Sequence, residues 1–104
     1  MQILLNTDNR LSGSEPLAAQ VEDEVRARID RFSDRVTRVE VHLGDHNGAK
    51  AGAADKRCLL EARLAGLQPI SASDRADTID LAVRGAIDKL KRALDHTLGR
   101  LDSR

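Results

Sequence analysis

The sequence predicts an α+β domain, a two-layer β-α-β-β-β-α sandwich in which a four-stranded mixed sheet carries both helices on one face. Residues 36–43 (VTRVEVHL) and 57–64 (RCLLEARL) alternate apolar and polar side chains, which is typical of strands with one buried face. Residues 77–101 instead place apolar side chains three or four apart, which indicates a long helix with one apolar stripe. The length of 104 residues suits one modest core, so we expect a single domain over residues 1–104.

The first half of the chain predicts a strand followed by a helix. Residues 2–7 (QILLNT) form an apolar run that predicts the first strand. Ser14 is placed to cap the helix that follows, and Pro16 falls in its first turn. Apolar side chains then recur at helical spacing through about Phe32, where the helix should end.

The second half contains a loop, an edge strand and the long helix. Residues 44–56 (GDHNGAKAGAADK) are rich in small and polar side chains and predict a mobile hairpin loop between the second and third strands. A turn at residues 66–69 leads into a fourth strand at about 69–73, which its proline confines to a sheet edge. We expect Asp77 to cap the final helix, with Asp80 at the third helical position.

The short strand–helix–strand connection implies a right-handed crossover, so the first two strands should be parallel neighbours and the others should follow by antiparallel hairpins. Both helices then cover one sheet face. The side chains expected to face the helices are Val39, Val41, Leu43, Cys58, Leu60, Ala62 and Leu64. Those expected to face water are Arg38, Glu40, His42, Arg57, Glu61 and Arg63.

The charges on the water-facing side suggest a register for the central hairpin. One alignment sets Glu40 opposite Arg63 and His42 opposite Glu61. An alignment shifted by two residues sets Glu40 opposite Glu61, and like charges in direct opposition destabilise a sheet. We therefore expect the first alignment. Its inward pairs are Val39–Leu64, Val41–Ala62 and Leu43–Leu60.

The composition excludes some classes of nucleic-acid-binding protein. Lys+Arg and Asp+Glu both number 17, so the formal net charge is +0 and any basic patch must arise from segregation of charge. The chain has no Trp or Tyr and one Phe, so it offers no exposed aromatic platform on which single-stranded RNA could stack its bases.

The sequence also favours a cytoplasmic protein. Cys58 is the single cysteine and cannot form an internal disulfide, which fits a reducing compartment. The first ten residues lack the features of a signal peptide, and no segment approaches the roughly 20 apolar residues of a membrane span.

No catalytic or metal-binding pattern is recognisable. Side chains of metal-ligand type occur at His42, Asp45, His46 and Cys58. Their spacing matches no standard zinc pattern, and the strand alternation sets His42 and Cys58 on opposite sheet faces. Ser71 and Ser73 have no recognisable base beside them, as a nucleophile would need. We therefore predict no catalytic residues, no metal and no cofactor, and a protein that is not an enzyme.

Two segments and the order of elements resemble the family of ribosome hibernation-promoting factors and ribosome-associated inhibitors, also labelled sigma-factor modulation proteins. Residues 32–43 (FSDRVTRVEVHL) are similar to the end of the family's first helix and its second strand. Residues 82–94 (AVRGAIDKLKRAL) are similar to its final helix. The resemblance spans nearly the whole chain, and we expect the short form of the family, which lacks a ribosome-pairing C-terminal domain.

The resemblance implies a bacterial protein that binds the small ribosomal subunit and its RNA in the channel used by messenger RNA and transfer RNA, and that silences or preserves ribosomes under stress or in stationary phase. It implies contacts from Lys and Arg to RNA phosphate, and neither a membrane nor DNA as partner. Lys50 and Lys56 in the hairpin loop are further basic side chains expected to reach phosphate. We do not predict a homodimer.

Charge is segregated along the helices in a way that suits this function. The first helix begins with acidic residues, whereas residues 26–38 hold five Arg against two Asp and residues 84–104 hold six bases against three Asp. Matched onto the family's basic helix positions, the RNA-binding residues implied are Arg28, Arg31, Arg35, Lys89 and Arg92. Acids at a helix start and bases at its end also suit the helix dipole. A neutral protein-protein interaction module on the same fold, without RNA binding, is therefore the alternative.

Overall fold

The computed structural model describes residues 1–7, 15–45 and 56–102. The strands are β1 (Gln2–Thr7), β2 (Val36–Asp45), β3 (Lys56–Leu64) and β4 (Ile70–Ala76). The helices are α1 (Glu15–Ile29), which a short 3₁₀ helix (Asp30–Phe32) extends, and α2 (Ile79–Asp102). This β-α-β-β-β-α order confirms the predicted fold class.

The four strands form one mixed sheet in the order β1-β2-β3-β4. β1 and β2 are parallel, and the two following pairs are antiparallel, as the crossover argument predicts. β4 lies at an edge, and Pro69 stands just before it, outside the hydrogen-bonded ladder. β4 is longer than expected because its pairing with β3 continues to Lys56 opposite Ala76.

The core lies between one face of the sheet and the apolar stripes of both helices. All seven side chains expected to face the helices are buried. The helices supply Val21, Val25, Ile29, Val83, Ile87, Leu90 and Leu94. Full burial of each large aliphatic side chain contributes roughly 1.5–3 kcal/mol, so this layer contact holds the two helices in fixed positions on the sheet.

The register of the central hairpin differs from the prediction. Glu40 pairs directly with Glu61, and Arg38 pairs with Arg63, so the expected opposition of Glu40 and Arg63 is wrong. The shift of two residues keeps the same side chains buried, and the inward pairs are Val39–Ala62, Val41–Leu60 and Leu43–Cys58.

A shared arginine explains why the like-charged pair is tolerated. Arg63 Nε lies 3.0 Å from Glu40 Oε2, and its Nη2 lies 3.0 Å from Glu61 Oε1, so one guanidinium bridges both carboxylates. Arg38 Nη2 adds a contact of 3.5 Å to Glu40. The hydrogen bond from Arg63 also holds the pKa of Glu40 below its ordinary value. Diagonal contacts of this kind offset the repulsion between directly opposed carboxylates.

Both ends of the predicted loop 44–56 belong to strands. β2 continues through Asp45 and β3 begins at Lys56, and these two residues pair in the ladder with Lys56 Nζ 2.5 Å from Asp45 Oδ2. The predicted bounds of the loop are therefore wrong at Gly44, Asp45 and Lys56, which belong to strands. The rest of the predicted loop, residues 46–55, lies outside the described residues. Lys56 is therefore held by Asp45 rather than extended toward a partner.

α2 begins one residue later than the sequence predicts. The Leu81 backbone N–H donates to Thr78 Oγ1 at 3.2 Å, and the Ala82 N–H donates to the Thr78 carbonyl at 3.0 Å. Thr78, rather than Asp77, is thus the N-cap, and Asp80 is the second helical residue. The predicted cap of the first helix, Ser14, lies outside the described residues.

Candidate nucleic-acid interface

The two helices meet along a line where basic and acidic side chains alternate. Arg28 Nη1 on α1 lies 3.2 Å from Asp88 Oδ1 on α2. Arg31 Nη2, just beyond α1, lies 2.8 Å from Asp95 Oδ2. We call these four residues the helical seam. Because α1 and α2 bury their apolar stripes side by side, residues 60 and 64 positions apart in the sequence are brought into contact here.

Arg31 and Arg35 line one surface cleft at the Arg31 end of the seam, together with Asp34 and Asp95. The cleft also includes Phe32 and Leu98, and the Arg31 guanidinium lies over the Phe32 ring at 4.3 Å from its centroid. Stacking on the ring holds the planar guanidinium in place while its edge stays accessible. The cleft is thus lined by two of the five predicted RNA-binding residues.

Lys89 lies on another face of α2, whereas Arg92 lies on the same face as the seam aspartates. Lys89 Nζ lies 3.1 Å from Asp74 Oδ1 and 3.3 Å from the Ser73 carbonyl of β4, so it points toward the sheet edge and away from the seam. Arg92 is exposed and forms no ion pair with any residue in the described part of the chain. It follows Asp88 by four positions and precedes Asp95 by three, so all three lie on one ridge of α2.

An ion-pair network occupies the opposite end of the helical layer. Glu24 lies 3.2 Å from Arg28 and 3.5 Å from Arg84, and Arg84 also lies 3.5 Å from Asp80. Acidic and basic side chains are therefore paired at this end, as Arg31 and Asp95 are at the other.

Arg28 and Arg31 of the helical seam each form an ion pair with an aspartate, but these ion pairs are weak. The side chains of Arg31 and Asp95 are each more than half exposed. Exposed ion pairs of this kind contribute about 0.2–1 kcal/mol, because water screens them. A stronger anion can therefore displace the aspartates from the arginines, although the aspartates also compete with it.

The open face of the sheet carries a second pair of bases. Arg57 on β3 lies directly opposite Arg75 on β4, and Gly44 is the partner of Arg57 on its other side. The sequence pattern places Arg57 on the water-facing side but gives no role to Arg75, because it predicts that β4 ends at residue 73. Polar side chains at every second position, Ser71, Ser73 and Arg75, are the sequence pattern that would have predicted the longer strand.

Among the described residues, Cys58 and the side chains of metal-ligand type form no metal-binding cluster. Burial raises the pKa of the Cys58 thiol to about 12, and the nearby charge of Asp74 adds to this shift. Such a thiol is a small buried apolar group rather than a nucleophile. Among residues 1–7, 15–45 and 56–102, no three His, Cys, Asp or Glu side chains are grouped so that they could hold a metal ion. No helix in the described part of the chain is long and apolar enough to cross a membrane.

The chain matches a known protein family. Residues 6–102 match the family described as Sigma 54 modulation protein / S30EA ribosomal protein, and the chain belongs to this family. The resemblance drawn from residues 32–43 and 82–94 is thereby confirmed.

Known structures share the architecture at low sequence identity. A ribosomal subunit interface protein from Coxiella burnetii superposes with a TM-score of 0.76 and 18% identity, over 95% of this chain and 99% of that one. The N-terminal domain of Protein Y from Thermus thermophilus gives a TM-score of 0.73 and 20% identity, over 93% and 99%. No curated protein sequence matches the chain significantly.

Proposed function

We propose that this protein binds the small ribosomal subunit, contacts ribosomal RNA at the messenger RNA and transfer RNA channel, and silences or preserves ribosomes under stress or in stationary phase. The observation that carries the proposal is family membership over residues 6–102. The name of the Coxiella burnetii relative, a ribosomal subunit interface protein, supports it. The protein would act in the cytoplasm, as a binding factor and not as an enzyme.

The RNA contact proposed on the helical layer uses Arg28, Arg31, Arg35 and Arg92, with Lys89 toward the sheet edge. Guanidinium groups present two parallel N–H donors that match a phosphate, and the contact needs no base recognition. The absence of Trp and Tyr from the sequence agrees with a mode that depends on the RNA backbone.

The aspartates of the helical seam would tune this contact. Asp88 and Asp95 hold Arg28 and Arg31 in the absence of RNA, and phosphate oxygens would take their place on the guanidinium groups. Replacing an aspartate carboxylate with a phosphate on a guanidinium group costs less free energy than removing water from a guanidinium group that has no partner. The same carboxylates would repel RNA and limit its affinity, which suits a factor that has to leave the ribosome again.

The neutral interaction module is favoured by one observation. Arg28, Arg31 and Lys89 each have an aspartate partner within the domain, so a surface with little net charge faces the solvent there. A partner protein with mixed charge would suit such a surface. This module would bind with little salt dependence and would not inhibit translation.

Cosedimentation with purified small subunits over a salt series separates the two functions. We expect the wild type to bind at low salt and the variant Arg28→Ala/Arg31→Ala/Lys89→Ala/Arg92→Ala to bind more weakly while remaining folded. Removal of each basic side chain that binds a phosphate should flatten the dependence of log affinity on log salt by roughly 0.7–0.9 units of slope. Equal binding by both proteins would exclude these four residues, and no binding by the folded wild type would reject the silencer function.

A further inference from the structure

The open sheet face holds three pairs of like charges in direct opposition. Arg38–Arg63 and Glu40–Glu61 are adjacent, and they neutralise one another through the Arg63 bridge. Arg57–Arg75 stands apart, near the end of the sheet where the hairpin of β2 and β3 closes.

No acid compensates this third pair within the residues that the structure describes. Asp77, two residues after Arg75, forms no ion pair with any described residue. Asp74 and Asp45 lie on the helix-facing side, where Lys89 and Lys56 hold them. Glu61 lies two pairing rows away and is bound to Arg63. Directly opposed like charges destabilise a sheet, so Arg57 and Arg75 carry an unfavourable contact that the neighbouring pairs avoid.

The surroundings of the pair suit an anion. Among the described residues, Gly44 adds no side chain on the β2 side of Arg57. The adjacent row presents the exposed His42 and Ser73 on either side of Leu59, so an imidazole and a hydroxyl flank one apolar side chain there. Directly opposed residues on neighbouring strands have Cβ atoms about 4.5–5.5 Å apart, which lets two guanidinium groups converge on one phosphate.

We propose that Arg57 and Arg75 form a second binding site for the RNA phosphate backbone, on the sheet face opposite the helical seam. This inference rests on the proposed function, and it assigns to the domain two RNA-contacting faces instead of one. Backbone phosphate is the favoured ligand because the pair offers fork-shaped donors but no aromatic surface for a base. The domain would then be held between RNA segments rather than laid on one.

The test compares substitutions that remove equal charge from the same sheet face. Arg75→Gln removes one unpaired charge, and Arg38→Gln is its matched control, because Arg38 already contacts Glu40. In cosedimentation with small subunits, Arg75→Gln should lower the salt slope by roughly 0.7–0.9 units, and Arg57→Gln/Arg75→Gln by about twice that. Arg38→Gln should leave the slope near that of the wild type.

Thermal unfolding gives an independent readout. Arg75→Gln should leave Tm unchanged or raise it, because the substitution relieves the repulsion with Arg57, so weaker binding cannot be attributed to unfolding. Arg75 is exposed on an edge strand. If Arg57→Gln/Arg75→Gln is unstable, the single variant Arg75→Gln is therefore used for the test.

The outcomes separate this inference from the proposed function. If the wild type binds and Arg57→Gln/Arg75→Gln shows the same dependence of log affinity on log salt, the sheet-face site is overturned. The proposed function is then unaffected. Equal effects of Arg75→Gln and Arg38→Gln would also overturn it, because they would reflect overall charge. A folded wild type that fails to bind at low salt rejects both.

Discussion

At the scale of single residues, the space available for a side chain at Gly85 is limited by a neighbour that is distant in sequence. A Cβ atom built at Gly85 would collide with the carboxylate of Asp74 on β4, so a larger residue there would force the Asp74 side chain out of its place. Gly99, later on the same helix, has no atom within 4 Å of such a Cβ. The two glycines look alike in the sequence, and only the packing of α2 on β4 distinguishes them.

Gly85→Ala should therefore destabilise the domain by about 1–3 kcal/mol, as overpacking does, even though alanine favours a helix by up to about 1 kcal/mol. Gly99→Ala is the matched control and should stabilise the domain by up to about 1 kcal/mol. Urea unfolding with a common slope measures both values. A Gly85→Ala protein as stable as the wild type would contradict the close approach.

The Asp74 carboxylate also sets a dependence on pH. The hydrogen bond from Lys89, with help from the Arg75 backbone, holds the pKa of Asp74 below its ordinary value of 3.8. A lowered pKa in the folded state means that the contribution to stability is complete above the unfolded-state pKa and is lost as pH falls through the folded-state pKa.

Lys89→Ala should raise the pKa of Asp74 toward its ordinary value and reduce the loss of stability between neutral and acid pH. Titration of the Asp74 carboxyl by NMR measures the first effect, and urea unfolding at several pH values measures the second. Lys91→Ala, which removes the same charge from the same helix, should leave the Asp74 pKa in place. An unshifted pKa in Lys89→Ala would refute the assigned cause.

At the scale of elements, sequence patterns predict which faces are buried better than how the strands align. Alternation with period two is unchanged by a shift of two residues, so the seven core-facing strand residues are identified correctly although the predicted register is wrong. The like-charge argument considers Glu40 and Glu61 only as a pair. Arg63 contacts both of them from the neighbouring row, and such a diagonal bridge is visible only once the strands are paired.

The predicted N-cap of α2 is also one residue off, since Asp77 and Thr78 are both good capping residues and only the backbone course selects between them. Thr78→Ala should cost about 0.5–2 kcal/mol of unfolding free energy, because it removes the acceptor for the Leu81 N–H. Asp77→Ala should cost less. Thermal unfolding compares the two, and a larger destabilisation in Asp77→Ala would make Asp77 the cap after all.

At the scale of the whole molecule, the net charge of zero is reflected in the pairing of charges on the helical layer. The sequence indicates that bases gather toward the ends of both helices, but at both ends of the layer acids pair with bases. It does not indicate that Asp88 and Asp95 face Arg28 and Arg31, because these contacts form only when α1 and α2 lie side by side. Nor does it assign Lys89 to the sheet edge.

Asp88 and Asp95 of the helical seam lead to a prediction that net charge alone does not make. If they compete with RNA phosphate for Arg28 and Arg31, then Asp88→Asn/Asp95→Asn should bind small subunits more tightly than the wild type. Each exposed pair is worth about 0.2–1 kcal/mol, so each release should tighten binding about 1.4- to 5-fold and cost a similar free energy of folding.

Asp23→Asn/Asp80→Asn is the control, because it changes net charge equally and neither residue is paired with Arg28 or Arg31. Cosedimentation at fixed salt measures the affinities, and thermal unfolding measures the cost of removing the two ion pairs. Because long-range attraction responds to total charge, both double variants should gain some affinity. The gain from the seam must be the larger of the two, since Asp88 and Asp95 occupy donors that a phosphate would use, whereas Asp23 and Asp80 contact none of the proposed RNA-binding residues. Equal gains would mean that the seam arginines bind no phosphate, and weaker binding by Asp88→Asn/Asp95→Asn would mean that the aspartates position them.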